Sequence, residues 1–151
     1  MSDSLNIFAD KLSQLLPTIM REFGRRNSSG LLKIRMTLPQ FFILDFLSES
    51  TRAKMKDLAD FMRVSTAAMT GIVDRLVKIG YAVRVYDPTD RRIINIEITR
   101  RGREVIRKIH QQRRQMIIKV FGRISQAERE AYLRILTRIR EVLIKEEGNI
   151  G

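Results

Sequence analysis

Along this 151-residue chain the apolar positions change their period several times. Leu5, Phe8, Leu12, Leu15, Ile19 and Phe23 recur every three or four residues, which predicts an amphipathic helix. Pro17 lies inside it and should kink or split it, and "RNSSG" at 26–30 should end it, with Gly30 as cap or turn. "LLKIRM" at 31–36 carries no clear signal. Thr37 then suits an N-cap, with Pro39 in the first turn. The helix that follows holds Phe42, Leu44, Phe46 and Leu47 and is apolar nearly all round, so it is expected to be buried.

Two more helices follow. Met55, Leu58, Ala59 and Met62 share a face of the first. After "RVS", Ser65 caps a second whose buried stripe is Met69, Ile72, Val73 and Leu76, and Gly80 stops it. This is a helix-turn-helix pattern. The period then drops to two. "YAVRVY" (81–86) and "RIINIEI" (92–98) read as antiparallel strands joined by an Asp87–Arg91 loop. A helix-turn-helix followed at once by a hairpin is the order of a winged helix. From Thr99 a long helix carries Val105, Ile106, Ile109, Met116, Ile117, Val120 and Phe121. "SQAE" at 125–128 is a capping box, and it opens a last helix on Tyr132, Ile135, Leu136, Ile139, Val142 and Leu143.

The expected fold is therefore mainly α with a small β-hairpin. Residues 1–36 form an N-terminal dimerisation helix and connector. Residues 37–98 form the winged helix-turn-helix lobe, and residues 99–151 a long linker helix and a C-terminal dimerisation helix. The terminal helices each have an apolar stripe to bury, and a second copy of the chain is the economical way to bury it.

Charge narrows the partner. There are 29 Lys+Arg against 17 Asp+Glu, a net +12, which favours nucleic acid. Residues 1–98 hold 15 basic and 11 acidic groups, and residues 99–151 hold 14 and 6. There is no cysteine, so disulfides, thiolate zinc sites and thiol redox sensing are excluded. "MSDSLNIFAD" lacks a signal-peptide pattern and no apolar run is long enough to span a bilayer, so a cytoplasmic location is expected. The single histidine, His110, is a poor basis for a metal site, and no nucleophile–base pair or Gly-rich phosphate loop appears. No enzymatic activity, metal or cofactor is expected.

The candidate chemistry is binding. Opposite the stripe of the Ser65–Ile79 helix lie Thr66, Ala67, Thr70, Gly71, Asp74 and Arg75. Small residues allow close approach to a surface, hydroxyls can bond base edges or phosphate, and Ala67 or a Thr methyl can touch a thymine methyl. The bland reading is a solvated polar face. At the hairpin tip Arg91 is the choice for a minor groove, with Asp87 or Asp90 able to hold one guanidinium. Arg92 begins the strand and pairs with Asp90 or a phosphate. The bland reading here is a soluble turn. The run Arg100, Arg101, Arg103, Arg107, Lys108, Arg113 and Arg114 either meets phosphate or an acidic ligand, or is a solvated face.

"LPQFFILDFL" with "KMKDLADFMRVSTAAMTGIVDRLVKIGYAVRVYDPTDRRIINIEITRRG" resembles the MarR (multiple antibiotic resistance regulator) family of winged-helix repressors. The resemblance rests on Leu58-Ala59, on Ser65 and Thr70, on "VDRL…GY", on the wing signature Asp87-Pro88-x-Asp90-Arg91-Arg92, and on "ITRRG". It implies a homodimeric transcription regulator on pseudopalindromic double-stranded DNA, with half-sites roughly one helical turn apart. Ser65, Thr66, Ala67, Thr70 and Arg75 would face the major groove and its phosphates. Arg91 would enter the minor groove with Asp90 as its anchor, and Arg92 would complete the wing. A small anionic or phenolic effector would release the DNA. Sensing through cysteine is excluded here, and a single histidine departs from the zinc-sensing members. The alternative is an architectural DNA- or RNA-binding protein without sequence choice or effector.

Overall fold

The computed structural model describes the backbone of residues 2–34 and 36–147 and, within that span, the side chains of 3–26 and 36–145. The element order is α1 (Ser2–Ile34), α2 (Leu38–Ser50), β1 (Arg52–Lys54), α3 (Met55–Met62), α4 (Thr66–Lys78), β2 (Ala82–Tyr86), β3 (Ile94–Ile98), α5 (Arg100–Phe121) and α6 (Gln126–Glu147). Two compact units divide the chain, 1–112 and 113–151.

The first unit holds the core. Ile43, Leu44 and Leu47 of α2, Leu58 of α3, and Met69, Val73 and Leu76 of α4 are fully buried, with Ile96 of β3 beside them. The stripes at 58–59 and 69–76 therefore pack as their spacing predicts, and Met55, Met62 and Ile72 lie partly buried at the edge. Thr37 caps α2, its N–H donating to Gln40 Oε1 at 2.9 Å, with a proline in the first turn. Ser65 caps α4 by accepting from the Ala68 N–H at 3.1 Å. Arg63, at φ 53, makes the left-handed turn out of α3.

Three of the expectations need correction. The hairpin is the larger part of a three-stranded antiparallel sheet, order β1-β3-β2, in which Ala53 pairs with Ile96 and Arg84 with the same residue from the other side. α1 does not end at "RNSSG" and is not split at Pro17; it runs on to Ile34. A glycine inside a helix costs only about 1 kcal/mol relative to alanine, too little to stop a helix of this length. Of the unassigned 31–36 stretch, 31–34 is thus the end of α1 and Met36 belongs to the connection before α2. Finally, β3 begins at Ile94 rather than at Arg92, so Arg92 remains in the loop.

In the second unit the capping box forms as expected. The Ser125 N–H donates to Glu128 Oε2 at 3.0 Å and the Glu128 N–H donates to Ser125 Oγ at 3.3 Å. The Ser125 hydroxyl also donates to Glu128 Oε2 at 2.5 Å, and this bond first, then the Ser125 N–H bond, holds the Glu128 carboxyl below its ordinary pKa. The rings of Phe121 and Tyr132 stack with centroids 5.5 Å apart. Tyr132, Ile135, Leu136, Ile139, Val142 and Leu143 are all exposed in the single chain, as are Leu5, Phe8, Leu12, Leu15 and Ile19 of α1. Among the described residues no helix is long and apolar enough to cross a membrane.

Candidate nucleic-acid interface

Helix α4 turns its small and polar residues outward. Ser65, Thr66, Ala67, Gly71 and Arg75 are exposed and Thr70 is half-buried. A Cβ on Gly71 would meet nothing within 4 Å, so the surface there is open. Two hydroxyls on this face are already engaged. Ser65 Oγ accepts the cap bond, and Thr70 Oγ1 donates to the Thr66 carbonyl at 2.9 Å. Thr70 can thus offer an outside group its lone pairs and its methyl, but not its proton. Arg75 forms no ion pair among the described residues; with Thr37, Pro39 and Gln40 it lines a hollow against Ala68, Gly71 and Ile72.

The β2–β3 loop is held from within. Asp87 Oδ1 accepts from the Thr89 hydroxyl at 2.5 Å, the Thr89 N–H at 2.9 Å and the Asp90 N–H at 3.2 Å. These bonds, the Thr89 hydroxyl first, hold the Asp87 carboxyl below its ordinary pKa. The Asp87 N–H donates to the Ile93 carbonyl and the Ile93 N–H to the Asp90 carbonyl, both at 2.9 Å. This bracing separates the two arginines. Asp90 Oδ1 takes the Arg92 N–H at 3.0 Å and its Nε at 3.2 Å. Asp90 is therefore the anchor of Arg92 and not of Arg91, because the carboxylate sits within a two-residue turn of the Arg92 amide. Arg91 is exposed and makes no ion pair among the described residues.

The loop is carried on a fixed base. Thr99 Oγ1 donates to the Gly80 carbonyl at 2.7 Å and accepts from the Gly102 N–H at 3.0 Å, while the Thr99 N–H donates to the Tyr81 carbonyl at 3.0 Å. Gly80 sits at φ 80, a conformation that suits glycine. Gly102 is needed for a different reason: a Cβ there would collide with the Tyr81 carbonyl oxygen and lie 2.9 Å from Ile98 Cγ1. Across the front of the lobe, Arg84 Nη2 on β2 contacts Asp74 Oδ1 on α4. Asp74 lies on the outer face as its spacing predicts, but its partner is ten residues on in another element, and no local pattern signals the link.

The basic run of α5 divides as well. Arg100 pairs with Glu104 at 3.1 Å, the Arg101 guanidinium lies 5.4 Å from the Tyr81 ring centre, and Arg103 Nη1 reaches the Ser48 carbonyl at 3.4 Å. Arg107 and Lys108 are exposed. His110 Nε2 lies 2.7 Å from Asp45 Oδ1, both atoms buried but without the alignment of a good hydrogen bond. Among the described residues no three His, Cys, Asp or Glu side chains gather as metal ligands.

A helix-turn-helix and a braced loop bearing a free arginine thus lie on one lobe. Residues 36–94, the span that contains both, match the model of the MarR family. This span belongs to the MarR family. It is 28% identical over 131 residues to YfiV, an uncharacterized HTH-type transcriptional regulator of Bacillus subtilis (strain 168), covering 85% of this chain and 82% of the relative. It is 27% identical over 144 residues to the HTH-type transcriptional repressor YetL of the same organism, covering 93% and 82%. A mutant MarR from E. coli, solved in complex with operator DNA, superposes with a TM-score of 0.65 at 21% identity, covering 85% of this chain and 93% of that one. The fold is the MarR-type winged helix-turn-helix, with the three-stranded antiparallel sheet as its wing. As a MarR-family protein it is a DNA-binding transcription regulator, not an enzyme.

Proposed function

We propose that this MarR-family regulator acts as a homodimeric repressor on a pseudopalindromic operator and is released by a small anionic or phenolic effector. One arrangement carries the reading: the open face of α4 and the unpaired Arg91 project from a single lobe whose loop is braced by its own Asp87 and Asp90. The α4 face, with Ser65, Thr66, Ala67, Thr70 and Arg75, enters the major groove, and Arg91 enters the flanking minor groove, where narrow A·T-rich stretches concentrate negative potential. The DNA in the E. coli MarR complex and the repressor activity named for YetL support this assignment. Residues 37–98 form the reading lobe. Residues 1–36 and 99–151 form the dimer layer, which the exposed apolar stripes of α1 and α6 support. The regulator works in the cytoplasm.

Competition binding tests the reading. At physiological salt, DNA selected from the protein's own genome should bind about 10³-fold or more tighter than random duplex of equal length. Equal affinity for both would replace the repressor with an architectural nucleic-acid binder. Repeating the selection with candidate metabolites tests effector release.

A further inference from the structure

The wing carries one large side chain that the loop, the core and the arginines leave unexplained. Tyr86 is the last residue of β2, paired across the strands with Ile94. It is 61% exposed, and its hydroxyl makes no hydrogen bond among the described residues. With Asp87, Pro88 and Arg91 it lines a hollow of about 540 Å³ at the wing tip. The walls differ in character. Tyr86 and Pro88 present apolar rings, and Arg91 presents an unpaired cation. The Asp87 carboxylate is turned inward, its Oδ1 accepting three bonds from Thr89 and Asp90.

An exposed tyrosine ring keeps about 25 cal/mol per Å² of apolar surface in water, a cost that folding of the lobe does not recover. An apolar wall beside a cationic one matches a sugar–phosphate strand, which offers an apolar deoxyribose face next to an anionic phosphate. A net charge of +12 favours that polyanion over an acidic side chain.

We propose that Tyr86 is a second DNA contact of the wing. Its ring packs on a deoxyribose of the strand bordering the minor groove, and its hydroxyl donates to the adjacent phosphate while Arg91 enters the groove beside it. The proposal rests on the wing-in-groove reading above. It adds a contact that carries no sequence information, so it sets affinity and register rather than base choice.

The test uses the full chain and a duplex that it selects from genomic fragments, with variants Y86F, Y86A and R91A. Y86F should weaken binding about tenfold, the loss of one hydrogen bond to a charged group, and Y86A about fiftyfold. Neither should change the slope of affinity against salt, whereas R91A should lower that slope by about one. Replacing phosphates singly by neutral methylphosphonates should reveal one position beside the wing at which wild type loses affinity and Y86F loses nothing further. If Y86F and Y86A bind like wild type while R91A is weakened, Tyr86 is not a contact and the wing reading stands. If all three bind like wild type, both fail, as they do if the protein selects no duplex. Should Y86A melt at lower temperature, the Y86F–methylphosphonate pair decides alone: additive losses at every phosphate overturn the proposal. Weakening of Y86A that a free acidic peptide or phenolic effector reproduces in wild type by competition, without a phosphate dependence, would assign the hollow to that ligand instead.

Discussion

Arg84 of β2 reaches across the lobe to Asp74 of α4, its Nη2 against the carboxylate Oδ1, so that α4 and the wing strand share an ion pair. The Asp74 side chain is 57% exposed and that of Arg84 32%, so the pair is worth under about 1 kcal/mol of stability. Its consequence is angular. Asp74→Asn or Arg84→Lys should leave the melting temperature nearly unchanged yet weaken operator binding about tenfold, with random DNA affected less. A double-mutant cycle on DNA affinity checks it: additive losses would mean that the two side chains do not act as a unit.

The two loop arginines should separate in the same assay. Arg91→Ala removes an unpaired charge and should weaken operator binding while lowering the salt slope by about one. Arg92→Ala removes a guanidinium already held by Asp90 at 3.2 Å and should cost less affinity. Equal losses and equal slopes for both would return them to a single diffuse patch.

Gly102→Ala should destabilise the lobe by about 1–3 kcal/mol, because its methyl would have to displace the Tyr81 carbonyl and the Ile98 side chain. Gly24→Ala, where a Cβ meets nothing within 4 Å, should stabilise by up to about 1 kcal/mol. Urea unfolding of the two variants reads the contrast.

Acid should act late on the wing. The folded-state pKa of Asp87 lies below its unfolded value, chiefly through the Thr89 hydroxyl bond. Its stabilising contribution is therefore fully present above the ordinary carboxylate range and is lost as pH falls through the lowered value. The Thr89 and Asp90 amide resonances should hold their shifts at pH 5 and move only below the range of a free aspartate. Asp87→Asn should remove that acid transition. A transition at an ordinary aspartate pH would show that the carboxylate does not brace the loop.

Thr51 ends α2 at φ 71, a region that a β-branched residue rarely enters. Thr51→Gly should relieve that strain and raise unfolding free energy by about 1 kcal/mol, measured by urea denaturation.

Much of this was legible in the residues. The α3 and α4 stripes, the Thr37, Ser65 and Ser125 caps and the shift to alternation at 82–98 are local patterns, and local backbone preference writes them directly into the order of residues. The face of α4 follows from the same periodicity. The end of α1 was misread because a glycine among serines is only a weak stop signal. β1 was missed because three residues with one buried alanine have no period to detect, and the strand exists only because Ile96 lies beside Ala53.

The sequence by itself determined the order of helices and hairpin, the excess of positive charge, the absence of cysteine chemistry and the family motif, since each depends on neighbours along the chain. The tertiary structure alone decided which charges are free. It set Arg84 against Asp74, and it left Arg91 and Tyr86 facing outward. The physical reason is reach. An ion pair or a hydrogen bond is settled by a few ångströms between atoms, and spacing along the chain does not give those distances once a helix, a strand and a turn have folded together.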